Sequence, residues 1–308
     1  MFSGIKALVV GDIILDKYIL GRSERISPEA PVPVVDVEKV EFRLGGAANV
    51  ANNLVSLGAE ADLAGVIGKD VAGAKIMELV QERGIGFYSI IPEKGRVTTE
   101  KTRVIANGKH LCRIDSEVRV PITPESEARI LEAMKKGYDV IIISDYGKGV
   151  VTRRVARMAG RLSLGGSIVV IDPKEPHFSY YRWATCVKPN KREAETASKV
   201  KLDGVNLQAL REAAERLQKL WRSKMILITL GADGMYLYDE EDGGTYIPGE
   251  RVDVYDVCGA GDTALAVFAA ALASGRTPVE AAQLANRAAS IVVTRVGTST
   301  VTGDDLRC

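Results

Sequence analysis

Histidine and cysteine are scarce in this chain. Two histidines, His110 and His177, and four scattered cysteines, Cys112, Cys186, Cys258 and Cys308, occur in 308 residues, and no two cysteines form a CxxC pair. That excludes the usual structural zinc sites. Lone thiols in a chain of this length do not suggest a disulfide framework, so a reducing, cytoplasmic setting is expected. Aromatics, at 6%, are too few for stacking platforms that grip single-stranded nucleic acid. The formal net charge is +1, so no nucleic-acid or membrane partner is expected. Long apolar runs are missing as well. The opening MFSGIKALVVGDIILDKY is interrupted by Asp12 and Asp16, unlike a secretory signal, and TALAVFAAALASG is too short to span a bilayer and reads as a buried helix.

What is present alternates. KALVVGDIIL, opening at Lys6, reads as a strand, GAANVANNLVSLG as a helix with a Gly stop, and ADLAGVIG as a strand again. Strands such as VIIIS and IVVID are apolar on both faces, as in a parallel sheet covered by helices. The expected fold class is α/β: a doubly wound, mostly parallel sheet flanked by helices, in a single domain over 1–308. Two segments break the pattern by alternating polar and apolar residues. SPEAPVPVVDVEKVEFRLGG carries three prolines before a strand, and TTEKTRVIANGKHLCRIDSE reads as a hairpin turning at Asn107-Gly108. These segments, about 15–44 and 97–117, are assigned to a small β-lid over the C-terminal edge of the sheet, where open α/β sheets bind ligands. The alternative reading, a pair of edge strands with no functional role, is the less favoured one.

The stretch DVCGAGDT, Asp256 to Thr263, sets Gly259, Ala260 and Gly261 at the start of an apolar helix. Glycines cost helix stability there, but they bare successive amides at a helix N-terminus, which makes an anion site. Asp262 follows in the first turn. A carboxylate there can accept the proton of a hydroxyl that attacks a bound phosphate. A plain acidic first turn would look the same in a shorter motif.

The full string resembles the second signature of the ribokinase-like (PfkB) carbohydrate kinases, with Cys258 where Thr or Ser is usual. RLGGAANVANNLVSLGAEADLAGVIGKD resembles the first signature. The resemblance spans nearly the whole chain, with the motifs in family order. It implies an ATP-dependent kinase with Asp262 as base and the 259–261 amides as anion hole. On the sugar side it implies Gly45, Gly46 and Asn49, and GDIILD adds Asp12 and Asp16 as partners for paired hydroxyls. KPNKRE matches the family's N-x-x-E, which implies that Asn190 and Glu193 serve Mg²⁺ and phosphate, largely through water. Read alone, the same pair is an N-cap and its capping box. Thr229, Gly231 and Gly234 in TLGADG, and Asn286, match positions around ATP, and GTST would close over that pocket. A monovalent cation is possible near Asp256.

Within the family, RISPEAPVPVV together with GDIILDKY, ISDYGKG and VYDVCGAGDT resembles the kinases that phosphorylate the anomeric hydroxyl of D-glycero-D-manno-heptose 7-phosphate. Many of these are fused to a nucleotidyltransferase. With Cys308 ending the chain, that activity is expected to be absent or removed. A sugar phosphate needs cations at the far end of the pocket. Lys101 and Arg103, two apart on one lid strand, and Lys148 and Lys174, after strand ends, are the candidates. Lys101 and Arg103 are equally strand charges that deter edge pairing, and Arg113 can pair with Asp115. Lids of this family often pair between two subunits, and a β-rich flap rarely stands alone in water, so a homodimer through the lid is expected. The rival readings are another sugar kinase of the fold and a non-catalytic sugar or nucleotide sensor. A nicotinamide dehydrogenase is excluded, because GDIILD lacks G-x-G-x-x-G.

Overall fold

The computed structural model describes residues 1–240, 243–295 and 297–307. Cys308 lies outside the described residues. Thirteen strands are described: β1 Lys6–Gly11, β2 Ile13–Ile26, β3 Pro33–Gly46, β4 Glu60–Gly68, β5 Gly86–Glu93, β6 Thr99–Ala106, β7 Lys109–Ser116, β8 Val140–Ser144, β9 Ile168–Asp172, β10 Cys186–Val187, β11 Met225–Thr229, β12 Gly234–Asp239 and β13 Gly243–Pro248. The helices are α1 Ala47–Ser56, α2 Val71–Glu82, α3 Pro124–Ala133, α4 Arg153–Leu164, α5 Lys191–Ser198, α6 Leu207–Trp221, α7 Ala260–Ala273 and α8 Pro278–Val292.

Nine strands form one sheet in the order β13-β12-β11-β10-β9-β8-β1-β4-β5. All neighbours run parallel except β11–β12 and β12–β13. The two-faced strands explain the layering. Val140 and Ile142 of β8 enter one core with α1, α2, α7 and α8, while Ile141 and Ile143 enter the other with α3 to α6. Helix α7 is buried from Thr263 to Ala271 because the sheet lies beneath it and α1 and α8 beside it. No described helix is long and apolar enough to cross a membrane.

The lid is a second sheet in the order β3-β2-β6-β7, with β2 and β6 parallel and both edges antiparallel. The hairpin turns where expected, with φ +51° at Asn107 and +74° at Gly108, the signs a type I′ turn demands. One expectation is corrected here. KALVVGDIIL is two strands, not one: β1 stays in the large sheet, and the chain turns at Asp12 into the lid as β2. Gly11 sits so close to β8 that a Cβ there would lie 2.0 Å from the Ser144 carbonyl oxygen. Elements β5 and β13 lack a strong sequence signature, whereas α3 opens on a Thr123 N-cap followed by Pro124 and acidic residues, a helix start that was missed in the sequence.

The sheet order reverses between β1 and β8, since β1 is followed in one direction by β4 and β5 and in the other by the later strands. Such a switch point opens a crevice at the carboxyl ends of the strands. Asp12 and the loop after Ser144 stand there.

Gly234 joins the turn after β11 to β12 at φ +95° and ψ −134°, and a Cβ would meet the Ile247 carbonyl oxygen at 2.2 Å. Gly234→Ala is expected to lower the urea midpoint by an amount worth about 2 kcal/mol or more, with the denaturant slope unchanged. An unchanged midpoint would mean that β12 and β13 separate at little cost.

Candidate active site

Asp12 organises the switch point. Its Oδ2 accepts the backbone N–H of Tyr146 at 2.8 Å and of Lys148 at 3.0 Å, and its Oδ1 accepts that of Val150 at 3.1 Å. The loop after β8 is thereby wound around one carboxylate. This corrects the expected sugar contact: both oxygens of Asp12 are engaged with backbone, and the residue is only 1% exposed. Burial first, then the neighbouring Asp145 carboxylate, push Asp12 up to about 6, against the pull of the three amides. Asp145 is engaged in turn by the Tyr181 hydroxyl at 2.6 Å, the Gly147 N–H at 2.8 Å and His177 Nδ1 at 2.7 Å.

Asp262 lies in the first turn of α7 and is 5% exposed. Tyr146 Oη donates to its Oδ1 at 2.6 Å and Asn49 Nδ2 to its Oδ2 at 2.9 Å. The chain of amides continues inward: Asn53 Nδ2 donates to the Asn49 carbonyl at 2.9 Å, and Thr263 Oγ1 to Asn53 Oδ1 at 3.0 Å. Helices α1 and α7 are thus fixed to each other at the point where both begin. Burial raises Asp262 above the ordinary carboxylate range, while the Tyr146 and Asn49 hydrogen bonds and the Lys188 charge oppose it. A base that is desolvated, yet held by donors on both oxygens, keeps lone pairs for a third partner.

The glycines before Asp262 have distinct tasks. Gly259 caps α7 at φ +83°, and a Cβ there would lie 2.9 Å from Asn49 Nδ2. Gly261 offers an open approach, since the nearest atom to an added Cβ is Lys188 Nζ at 3.9 Å. The Ala260 N–H bonds weakly back to Val257 at 3.4 Å, and the first intrahelical bond is Thr263 to Gly259. Helix geometry therefore leaves the Gly261 and Asp262 amides for an anion. Asp256 secures the loop by accepting the N–H groups of Cys258 at 2.9 Å and Gly297 at 3.0 Å. Burial opposes its charge, but these bonds win and hold it below its ordinary value. The Cys258 thiol, raised to about 11 by burial and by its bond to Asp256, is no nucleophile at neutral pH.

The lid brings the expected Asp16, Lys101 and Arg103 to the same place. Register sets Asp16 beside Lys101 and Tyr18 beside Arg103 on β2 and β6. Arg103 pairs with Asp16 at 2.5 Å, and Lys101 Nζ stands 5.5 Å from the centre of the Tyr146 ring. Lys148 pairs with Glu117 at 2.5 Å. Arg113 and Asp115 pair with each other on the exposed strand β7. Gly45 and Gly46 meet a packing need: added Cβ atoms would lie 2.5 Å from Asp16 Oδ2 and 2.5 Å from the Asp12 carbonyl oxygen.

Across the cleft, Asn190 and Glu193 form a reciprocal capping box for α5. Lys174 belongs with them, since its Nζ lies 3.2 Å from Glu193 Oε1. Thr229 bridges to Asn190 in parallel fashion, and Gly231 opens the turn that follows. Asn286 donates to the Pro248 carbonyl at 2.9 Å, tying α8 to the end of β13. Lys188 was missed in the sequence. It is 2% exposed, pairs with Asp172 at 3.2 Å and biases Asp262. Tyr146 was missed too. Both lie just past strand carboxyl ends, in SDYGKG and VKPN, and that location was the available signal.

A buried carboxylate at a bare helix N-terminus, facing a β-lid across the switch point of a mostly parallel sheet, is the arrangement of a ribokinase-like carbohydrate kinase. The chain belongs to the pfkB family of carbohydrate kinases, whose model matches residues 5–304. It is 45% identical over 305 residues to the bifunctional protein HldE of Trichlorobacter lovleyi, covering 97% of this chain and 62% of that protein. It is 43% identical over 301 residues to HldE of Geobacter sulfurreducens, covering 96% and 61%. The chain therefore spans less than two thirds of these relatives. Among solved structures, Escherichia coli phosphofructokinase-2 with substrates and products superposes with a TM-score of 0.81 at 18% identity, covering 98% of this chain and 97% of that one. Arabidopsis thaliana ribokinase with ribose and ATP gives 0.76 at 17% identity, covering 99% and 97%. These two share the fold.

Because Asp12 is raised in the folded state, the native protein keeps a proton that the unfolded chain releases, between about pH 4 and about 6. Its contribution to stability is present below that window and lost as pH rises through it. Asp12→Asn is expected to flatten this part of the stability–pH curve in urea titrations. It should also cost about 1–3 kcal/mol, because one amide donor of the loop then faces an NH₂ group. An unaltered slope would show that another group titrates there.

Proposed function

We propose that the chain is an ATP-dependent kinase that phosphorylates the anomeric hydroxyl of D-glycero-D-manno-heptose 7-phosphate. The product is the 1,7-bisphosphate on the way to ADP-heptose and the lipopolysaccharide core. The observation that carries the kinase reading is Asp262, desolvated beside open amides and held on both oxygens. The sugar hydroxyl attacks the γ-phosphorus of ATP, and its proton passes to Asp262. The new O–P bond forms as the bond to the β,γ-bridging oxygen breaks, and ADP leaves with that electron pair. The Gly261 and Asp262 amides and the α7 dipole face the oxygens on which charge gathers. Lys188, buried next to Gly261, adds a fixed positive charge on the same side.

Among the described residues no three His, Cys, Asp or Glu side chains gather into a metal cage. The Asn190–Glu193 capping box and the Lys174 pair already engage those side chains. That suits a Mg²⁺ ion held by phosphate oxygens and water, with Asn190 and Glu193 reached through its hydration shell. Bound there, Mg²⁺ would draw charge from the phosphates. A monovalent cation fits beside Asp256, which the loop amides keep ionised. The nucleotide would lie along Thr229, Gly231 and Asn286.

The sugar-phosphate reading rests on the 40–45% identity to the HldE proteins and on the lid cations. Lys101 forms no ion pair among the described residues and is half-buried. Burial lowers its pKa, as do Arg113 and Lys148, although Asp16 pulls the other way. A phosphate dianion would relieve that cost. The exposed apolar residues Val37 and Val40 on β3, and Leu111 and Ile114 on β7, support a homodimer through the lid. We assign the chain to one domain acting in the cytoplasm. Another sugar kinase of this fold is the second reading.

Purified protein with ATP and a panel of heptose 7-phosphate, fructose 6-phosphate, fructose, ribose and nucleosides tests the assignment. Turnover of ribose or fructose without heptose 7-phosphate would overturn it. Asp262→Asn should bind ATP but lower kcat by about 10²–10⁴-fold. Lys101→Ala should raise the KM for heptose 7-phosphate by about 10-fold or more and leave the KM for ATP unchanged. Equal effects on both would remove Lys101 from the sugar side.

A further inference from the structure

The geometry points to Tyr146 as the positioning residue of the base: its hydroxyl fixes the plane of the Asp262 carboxylate and limits its basicity. The inference deepens the kinase reading and rests on it for the role of Asp262. Three observations converge. First, the Tyr146 hydroxyl reaches Asp262 Oδ1 at 2.6 Å while Asn49 holds Oδ2 at 2.9 Å from the other side, so the carboxylate cannot rotate without breaking one bond. Second, the phenol is itself aimed from both ends. Its backbone N–H is bound by Asp12, and its ring carries the Lys101 ammonium of the lid at 5.5 Å. A cation on the ring face draws electron density from the oxygen and strengthens the hydroxyl as a donor. Third, the phenol stays protonated, because burial and then the Asp262 and Asp172 carboxylates raise it well above its ordinary range. It can donate to Asp262 but cannot compete with it for the substrate proton.

The groups that face Asp262 act in opposite directions. Lys188 from the end of β10 favours its charge, and Asp16 from the lid and Asp172 from the end of β9 disfavour it. After burial, the Tyr146 bond is the first influence, and it opposes burial. Removing that hydroxyl leaves Asp262 more basic and free to turn, so the base loses orientation as it gains proton affinity.

Tyr146→Phe keeps the ring and removes only the donor. The expected result is a kcat lower by about 10–100-fold, KM values for ATP and sugar nearly unchanged, and an acid limb of the kcat–pH profile moved upward by about one pH unit. A carboxyl-carbon NMR titration of unliganded protein reads the same shift without any substrate. The Asp262 resonance is identified by its loss in Asp262→Asn, and its pKa should be higher in Tyr146→Phe than in wild type. Tyr146→Ala separates the donor from the ring, and a purely structural Tyr146 would show itself there. If Tyr146→Phe matches wild type in kcat and in the NMR titration while Tyr146→Ala fails, the inference is overturned. Should no sugar phosphate be turned over, the heptose reading falls, and the NMR titration still decides the role of Tyr146.

Discussion

One residue at the switch point makes use of its backbone and side chain together. Asp12 donates its N–H to the Ser144 carbonyl at 3.2 Å, accepts the Ala47 N–H at 3.0 Å, and takes three more amides on its carboxylate. The end of β1, the end of β8 and the start of α1 are bound to the same residue. A buried carboxylate is costly unless its lone pairs are used, and here five backbone hydrogen bonds converge on one residue. The consequence is positional. The loop carrying Tyr146 and Lys148 has its amides fixed by Asp12, and α1 begins where Asn49 must meet Asp262. The cluster around Asp262 inherits its geometry from a residue outside it.

Asp262 shows the same economy from the opposite side. Burying a carboxylate in the first turn of an otherwise apolar helix is unfavourable by several kcal/mol if it stays unpaired. Two hydrogen bonds to a charged acceptor return about 1.5–3 kcal/mol each, and the N-terminal dipole adds up to about 1. The balance leaves the group ionisable but with its proton affinity raised, as the proposed acceptance of a proton from a sugar hydroxyl would require. An apolar residue would pack more cheaply at this position, so the cost is evidence of function rather than of folding need.

The large sheet was legible because VIIIS and IVVID have no polar face, and the hairpin because Asn-Gly admits positive φ twice. The buried helix from Ala260 followed from its unbroken apolar run. The division at Asp12 was not legible, because GDIILD has the composition of a continuous strand. What ends β1 is the close approach of β8 at Gly11, a contact between residues more than 130 positions apart. Site residues divide the same way. Asn49, expected against sugar hydroxyls, is buried and donates to Asp262, Lys174 lies beside Glu193 and Asp12 turns to backbone, since spacing along a strand end says nothing of which neighbour a side chain will find. Tyr146 and Lys188 carry no motif beyond their places just past the ends of β8 and β10, and their roles arise from strand order.

Strand order also decides which cation can answer a substrate phosphate. Arg103 is matched by Asp16, Lys148 by Glu117, Lys174 by Glu193 and Lys188 by Asp172. A matched pair gains little from a further anion, because the ligand must compete with a carboxylate already in contact. Lys101 differs. Its neighbours Arg113 and Lys148 repel it, and Asp16 and Asp115 offset them without forming an ion pair with it among the described residues. At an effective dielectric of about 20, a unit charge at 4 Å is worth about 4 kcal/mol, so an arriving dianion gains most where positive charge is least neutralised. A neutral sugar gains nothing there and leaves the ammonium desolvated. On the proposed reading, selectivity for a phosphorylated sugar would be built as much from the unmet cost of Lys101 as from any attraction, and because the same ammonium lies on the ring of Tyr146, a group at the far end of the substrate would also bear on the base at the near end.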